Sequence, residues 1–161
     1  MKKYHLRRQD KALSDEAEME RILGSARYIT LAMCAEGEPY LVVLNHGYDP
    51  AQRRIYFHCA REGRKIDILR ANPRVWGVAF EDLGYLDGKC DHAYRSVMFG
   101  GKARFAENED EKRTALEVMI RQQESDPEKV ITEQLAPESI RNITIGVVEI
   151  EETSGKEAVR N

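Results

Sequence analysis

Tyr28-Ile29-Thr30-Leu31-Ala32-Met33, Tyr40-Leu41-Val42-Val43-Leu44 and Arg54-Ile55-Tyr56-Phe57-His58 are three runs rich in β-branched and aromatic residues. Glu36-Gly37-Glu38-Pro39 and Asp49-Pro50-Ala51-Gln52 place turn residues between them. So close a spacing leaves no room for the crossover helix that parallel strands require. The runs predict an antiparallel meander. Its first two members form a hairpin, and the second, ending at Asn45-His46, pairs with the third.

Upstream, Asp15 is placed to cap a short helix whose apolar stripe is Met19, Ile22 and Leu23, with Glu18 three residues after the cap. Downstream, Gly63 opens a helix to about Ala71, and Asn72-Pro73 ends it because the residue before proline avoids the helical region. Val75 to Phe80 reads as a fourth strand and 81–93 as a loop broken by Gly84, Asp87-Gly88 and Asp91. Tyr94 to Ala106 is a fifth strand with Gly100-Gly101 marking a bulge or bend. Asn108 caps a longer helix with Ala115, Leu116, Met119 and Ile120 on one face, and Asp126-Pro127 starts another. Ile143 to Ile150 is a sixth strand, so uniformly apolar that it is buried on both faces or lies in a subunit interface, as does the Val97–Phe99 run. The expectation is one mainly β domain over residues 1–161 with flanking helices (α+β), a small six-stranded antiparallel barrel. Residues 1–13 and 153–161 are peripheral extensions of it.

With 25 basic and 28 acidic residues the net charge is -3 and the pI about 5.9, which argues against a nucleic-acid partner. No apolar run approaches the roughly 20 residues of a membrane helix. The basic start lacks the apolar block of a secretory signal, so a cytoplasmic protein is expected. Cys34, Cys59 and Cys90 are odd in number and widely spaced, the pattern of reduced thiols. Cys90-Asp91-His92 has metal-ligand residue types without a ligand spacing, and no metal is expected. Esterase, P-loop and dinucleotide-binding motifs do not occur.

The chemistry concentrates in Phe57-His58-Cys59-Ala60-Arg61-Glu62-Gly63-Arg64-Lys65: a strand ends, glycine turns the chain, and a helix begins with two cations. Cations in a first turn oppose the helix dipole. An anion such as phosphate would reverse that cost, while a solvated surface face is the plainer alternative. His58 is either a functional imidazole at the strand end or a rim residue. Asn45 can hydrogen-bond a polar ring edge or satisfy its own turn. Arg95 and Ser96 open the fifth strand, where alternation turns one of them inward.

The order of these stretches resembles the pyridoxamine 5'-phosphate oxidase-like FMN-binding split barrels. It is carried by Phe57 to Asp67, Arg70-Ala71-Asn72-Pro73-Arg74-Val75, Tyr94-Arg95-Ser96-Val97 with Gly101-Lys102-Ala103, and Ser154-Gly155-Lys156-Glu157. Within them it is similar to the Nim group, related to nitroimidazole resistance. The resemblance implies a homodimer with FMN at the subunit interface, deazaflavin or haem being the alternatives in the same fold. It places Val42, Val43, Leu44 and Asn45 along the flavin ring and the phosphate at Phe57, His58, Arg64 and Lys65. The partner contributes the region of Arg95, Ser96 and Val97, and His58 is the residue implied to be catalytic. The Trp and Arg pair of true pyridoxamine phosphate oxidases is missing after Ile143, which argues against oxidation of B6 phosphates. The implied activity is reduction of a small electrophile, such as a nitroaromatic, with electrons from NAD(P)H. A non-catalytic flavin or haem carrier is the alternative, with His46, His58 or His92 as axial ligands for haem.

Overall fold

The computed structural model describes residues 7–159. A 3-10 turn (Gln9–Lys11) leads into β1 (Ala12–Leu13) and α1 (Glu16–Ser25). Asp15 caps α1 by accepting from the N–H groups of Ala17 and Glu18. The expected hairpin follows as β2 (Tyr28–Ala35) and β3 (Glu38–Asn45). Its two turn residues, Glu36 and Gly37, both have positive φ, as a tight two-residue hairpin turn requires. Next come β4 (Gly47–Asp49), β5 (Arg54–Cys59), α2 (Arg64–Ala71), β6 (Arg74–Leu86) and β7 (Asp91–Phe105). Asn108 caps α3 (Glu109–Gln123) and Asp126 caps α4 (Pro127–Gln134). A short α5 (Pro137–Asn142), not among the expected elements although Pro137 stands in its first turn, precedes β8 (Thr144–Ala158).

The strands form one antiparallel sheet in the order β3-β2-β6-β7-β8-β5-β4, with β1 added to β8. There are eight strands among the described residues, not the expected six, and the sheet does not close. The second and third β runs do not pair. β5 instead lies along β8, with Arg54 opposite Glu149 and Cys59 opposite Thr144. The apolar Ile145–Val148 stretch gives β5 a neighbour along its whole length, while β3 pairs with β2 on one edge and leaves its other edge unpaired. Residues 81–93 are not a loop. β6 and β7 continue as a hairpin to Leu86 and Asp91, and the breakers are absorbed in a register shift between Asp82 and Tyr85 and in the turn itself. The chain from Thr153, expected as a peripheral tail, stays paired to β7 as far as Ala158 opposite Tyr94. Gly100-Gly101 makes the expected bulge, where the β7–β8 register shifts.

Alternation along these strands builds two apolar layers. Inside the curved sheet, Leu31, Ile55, Phe57, Ala79, Val97, Phe99 and Val148 are fully buried. On the other side of β5 and β8, Tyr56, Ile145 and Val147 pack with Ala115 and Met119 of α3. The uniformly apolar last strand is therefore buried on both faces within one chain. Val97 and Phe99 also belong to the core, and only Met98 between them faces out. The apolar surface left open lies elsewhere, on the outer face of β3, β2, β6 and β7. Leu41 and Val43 are 63% and 67% exposed there, beside Tyr28, Phe80 and Met98.

Glycines make room for the two central rings. A Cβ on Gly77 would stand 2.2 Å from the Phe99 ring, and one on Gly146 would stand 2.1 Å from the Phe57 ring. Either substitution to alanine should cost about 1–3 kcal/mol by overpacking, read as a lowered urea midpoint. An unchanged midpoint for Gly146→Ala would show that Phe57 is free to move and that this part of the core is loose.

Candidate functional site

Backbone pairing creates the site. β3 bonds only to β2, and β4 covers β5 only as far as Tyr56. β3 returns against β5, yet among the described residues no ladder joins them. Val42 to Asn45 on one side and Phe57 to Cys59 on the other therefore bound an open seam. Exposed backbone N–H and C=O groups on such edges are unspent hydrogen-bonding capacity. Along β3 the side chains of Tyr40, Val42 and Leu44 turn to the core, while Leu41, Val43 and Asn45 turn outward. Along β5, Phe57 is buried in the barrel, partly buried Cys59 lies on the same side, and His58 points the other way and is exposed.

The cations stand at one end of this seam. Gly63, at φ 126°, turns the chain into α2, and no side chain caps the helix. The Arg64 guanidinium lies over the Tyr40 ring at 4.6 Å, and the Lys65 ammonium over the Phe57 ring at 5.3 Å. Arg64 thus reaches back to β3 and Lys65 to β5, so both rims carry positive charge where the helix N-terminus is bare. Phosphate fits that arrangement. Burial pushes the Cys59 thiol up despite Lys65 nearby, so it stays protonated and unreactive at neutral pH.

At the other end lies a cleft of about 240 Å³. Asn45 and His58 bring the two strand rims to it, and α3 walls it with Leu116, Met119 and Ile120. Gln123 and Glu124 stand in the same lining. Sequence reasoning read the α3 stripe only as core. Ala115 and Met119 are core, but Leu116 and Ile120 lie one position further round the helix, toward the cleft. The adjacent amides Gln122-Gln123 were the available signal. Gln122 donates to the carbonyls of Leu23 and Ala26 and accepts from the Tyr48 N–H at 2.8 Å. Gln123 donates to the carbonyls of Arg27 and His46. The last turn of α3 is thereby tied to the β3–β4 crossing and cannot slide across the cleft.

Arg95, Ser96 and Val97 are not brought to this seam within one chain. Phe57 shares a row with Gly146 and Phe105, and Arg95 lies ten residues further along β7, roughly 30 Å of strand. Val97 is buried, and Arg95 is held among Glu18, Glu81 and Glu157. Ser96 faces outward beside Phe80, on the open apolar surface.

The other histidines are engaged. His92 bonds Asp82 at 2.6 Å. His46 is completely buried, and its Nε2–H donates to the Leu23 carbonyl at 2.8 Å while Nδ1 has no partner. Of the three histidines considered for haem, only His58 is both exposed and without a hydrogen-bond partner among the described residues. Among the described residues no three His, Cys, Asp or Glu side chains are grouped to hold a metal ion, and no helix is long and apolar enough to cross a membrane.

A profile of the family described as pyridoxamine 5'-phosphate oxidase matches residues 15–157. A candidate 5-nitroimidazole antibiotic resistance protein of Bacteroides thetaiotaomicron superposes with a TM-score of 0.76 at 28% identity, over 90% of this chain and 85% of that one. A FAD-binding protein of Mesorhizobium loti aligns with a TM-score of 0.66 at 24% identity, over 92% of this chain and 97% of the other. A flavocytochrome of Azotobacter vinelandii gives 0.79 at 17%, over 98% and 73%. No curated protein matches the chain.

His46 gives the clamp a pH signature. Burial holds its imidazole below the ordinary value of 6.5, more than the bond to the Leu23 carbonyl raises it. The unfolded chain takes up this proton at about 6.5 and the folded protein resists it. Its contribution to stability is therefore full above about pH 6.5 and declines as the pH falls toward the depressed folded value. Urea midpoints at pH 7.5, 6.5 and 5.5, values spaced about that titration, should fall less in His46→Gln than in the parent. Parallel declines would show that the imidazole is not desolvated.

Proposed function

Because the chain belongs to the pyridoxamine 5'-phosphate oxidase family, we propose that it binds FMN in the seam between β3 and β5 and reduces a small electrophile such as a nitroaromatic with electrons from NAD(P)H. One observation carries this reading: two unpaired strand edges face one another, with a bare helix N-terminus flanked by Arg64 and Lys65 at one end and His58 at the other. That is the polarity of a flavin, a phosphate tail joined to a ring whose edge is rich in donors and acceptors.

Arg64 and Lys65 would hold the phosphate, and their aromatic supports from Tyr40 and Phe57 keep the two charges in place. The edge of Val42, Val43, Leu44 and Asn45 would meet the ring through backbone groups. When bound, the flavin supplies hydride chemistry between a reduced nicotinamide and the acceptor. His58 holds a ring nitrogen at the cleft and can give a proton to the electrophile as it is reduced, or orient it. Cys59 beside the seam is partly buried and its thiol is pushed up by that burial, so it does not compete as a nucleophile there.

The outer face of β3, β2, β6 and β7 is the surface on which two copies would pair. It carries Tyr28, Leu41, Val43, Phe80 and Met98 exposed, around a shallow groove of about 120 Å³ lined by Thr30, Ala32, Trp76 and Val78 among others. Ser96 lies on this face, so pairing here brings the Arg95–Val97 region into the interface, as the family resemblance implies.

Chromatography of the heat-released ligand tests the cofactor: FMN supports the reading, and a Soret band in the absorption spectrum moves the case to haem at His58. Arg64→Ala with Lys65→Ala should weaken FMN at least about tenfold, an interaction loss of about 1.4 kcal/mol, whereas His58→Ala should keep the flavin and slow acceptor reduction. Light scattering of Val43→Lys with Met98→Lys should find monomers that have lost flavin. A monomeric parent that still holds FMN would remove the shared site.

A further inference from the structure

We propose that the cleft under α3 is a charge-selective acceptor subsite of the reductase proposed above, admitting single-ring neutral or cationic molecules and turning away anions. The inference rests on that reading for the chemistry, but its geometry stands apart from it.

Size comes first. About 240 Å³ is below the usual range of drug-sized pockets, roughly 300–1,000 Å³, and suits one substituted ring. Leu116 and Ile120 form the wall against which such a ring would lie, with Met119 behind them at 6% exposure.

Charge decides the rest. The cleft sits at the C-terminal end of α3, where the last carbonyls carry the negative end of the helix dipole. Glu124, the residue that caps this end, is the one carboxylate in the lining, and no Lys or Arg lines it. The cation of the last turn, Arg121, is turned away to Glu128 of α4. Donors are few: the Gln123 amide N–H groups are taken by the carbonyls of Arg27 and His46, and that of Asn45 reaches toward the Arg27 carbonyl at 3.4 Å. Their side-chain oxygens and the Glu124 carboxylate leave acceptors in excess, against the single imidazole of His58.

The seam is thus polarised along its length, positive at the α2 N-terminus and negative at the α3 C-terminus. An anionic tail is drawn to Arg64 and Lys65, and an acceptor bearing its own anion is repelled from the opposite end. Glu124 is the residue that sets this discrimination, and Ile120 and Leu116 set the size.

Three probes share one ring and differ in charge: 4-nitrobenzyl alcohol, 4-nitrobenzylamine and 4-nitrobenzoate. With the flavin-loaded protein and NADH, kcat/KM for the alcohol and amine should exceed that for benzoate by about tenfold, the effect of about 1.4 kcal/mol of like-charge repulsion. Glu124→Gln should narrow the gap, and Glu124→Lys should invert it through KM. Ile120→Trp should raise KM for all three while the flavin spectrum stays unchanged. Saturation-transfer NMR with the non-reducible benzyl alcohol, benzylamine and benzoate reads the same order without turnover. A flavin-loaded protein whose preference among the three probes is unmoved by Glu124→Lys, or whose KM values are unmoved by Ile120→Trp, overturns the subsite. If the protein takes up no flavin, the reductase reading falls by itself, and the NMR order in the parent and in Glu124→Lys still decides whether the cleft selects by charge.

Discussion

An antiparallel sheet that curls on itself must either complete its last ladder or leave two edges with unmet hydrogen bonds. Here it leaves them. β3 is held on one side by β2, β5 is held by β8, and the rims from Val42 to Asn45 and from Phe57 to Cys59 face each other unbonded. The candidate site is arranged about that seam. α2 starts at one end of it, α3 ends at the other, and His58 turns away from the barrel toward the second of these.

The seam stays open because its flanks are committed elsewhere. Phe57 fills the space above Gly146 and anchors β5 in the core. On the β3 side, the chain crosses to β4 through His46, a fully buried imidazole bonded to the Leu23 carbonyl. Gln122 and Gln123 then bind the same crossing and the α1–β2 junction to the last turn of α3. Closing the seam would require undoing this network inside the core, where an unpaired polar group costs about 1–3 kcal/mol. The rims are thus held apart, with Arg64 and Lys65 near one end of the gap and Glu124 near the other.

Much of this was legible in the residues. The hairpin, the helix beginning at Gly63 with its two cations, the caps at Asp15 and Asn108, the helix start at Asp126-Pro127, and the bulge at Gly100-Gly101 are local matters of propensity, turn geometry and dipole. They appear where expected. The family resemblance read from Phe57–Asp67 and the Tyr94-Arg95-Ser96-Val97 strand agrees with the profile match over residues 15–157. The pairing of β5 was not legible, because adjacency favours the nearest run whereas the fold matched β5 to an apolar strand some ninety positions later, beginning at Thr144. The continuation of β6, β7 and β8 past their glycines and polar residues was hidden for a related reason. A long hairpin carries its own ladder even where side chains give no periodic signal.

The sequence by itself determined the strand-rich class, the position of the helix start that carries Arg64 and Lys65, and the candidacy of His58, since each depends on a few neighbouring residues. Only the tertiary structure decided that Asn45 and His58 meet, that Leu116, Ile120 and Glu124 join them, and that Arg95, Ser96 and Val97 lie far away along β7. Those outcomes depend on which strand edges remain unpaired and on where α3 docks. They follow from burying apolar faces across distant parts of the chain, and no local pattern encodes that choice.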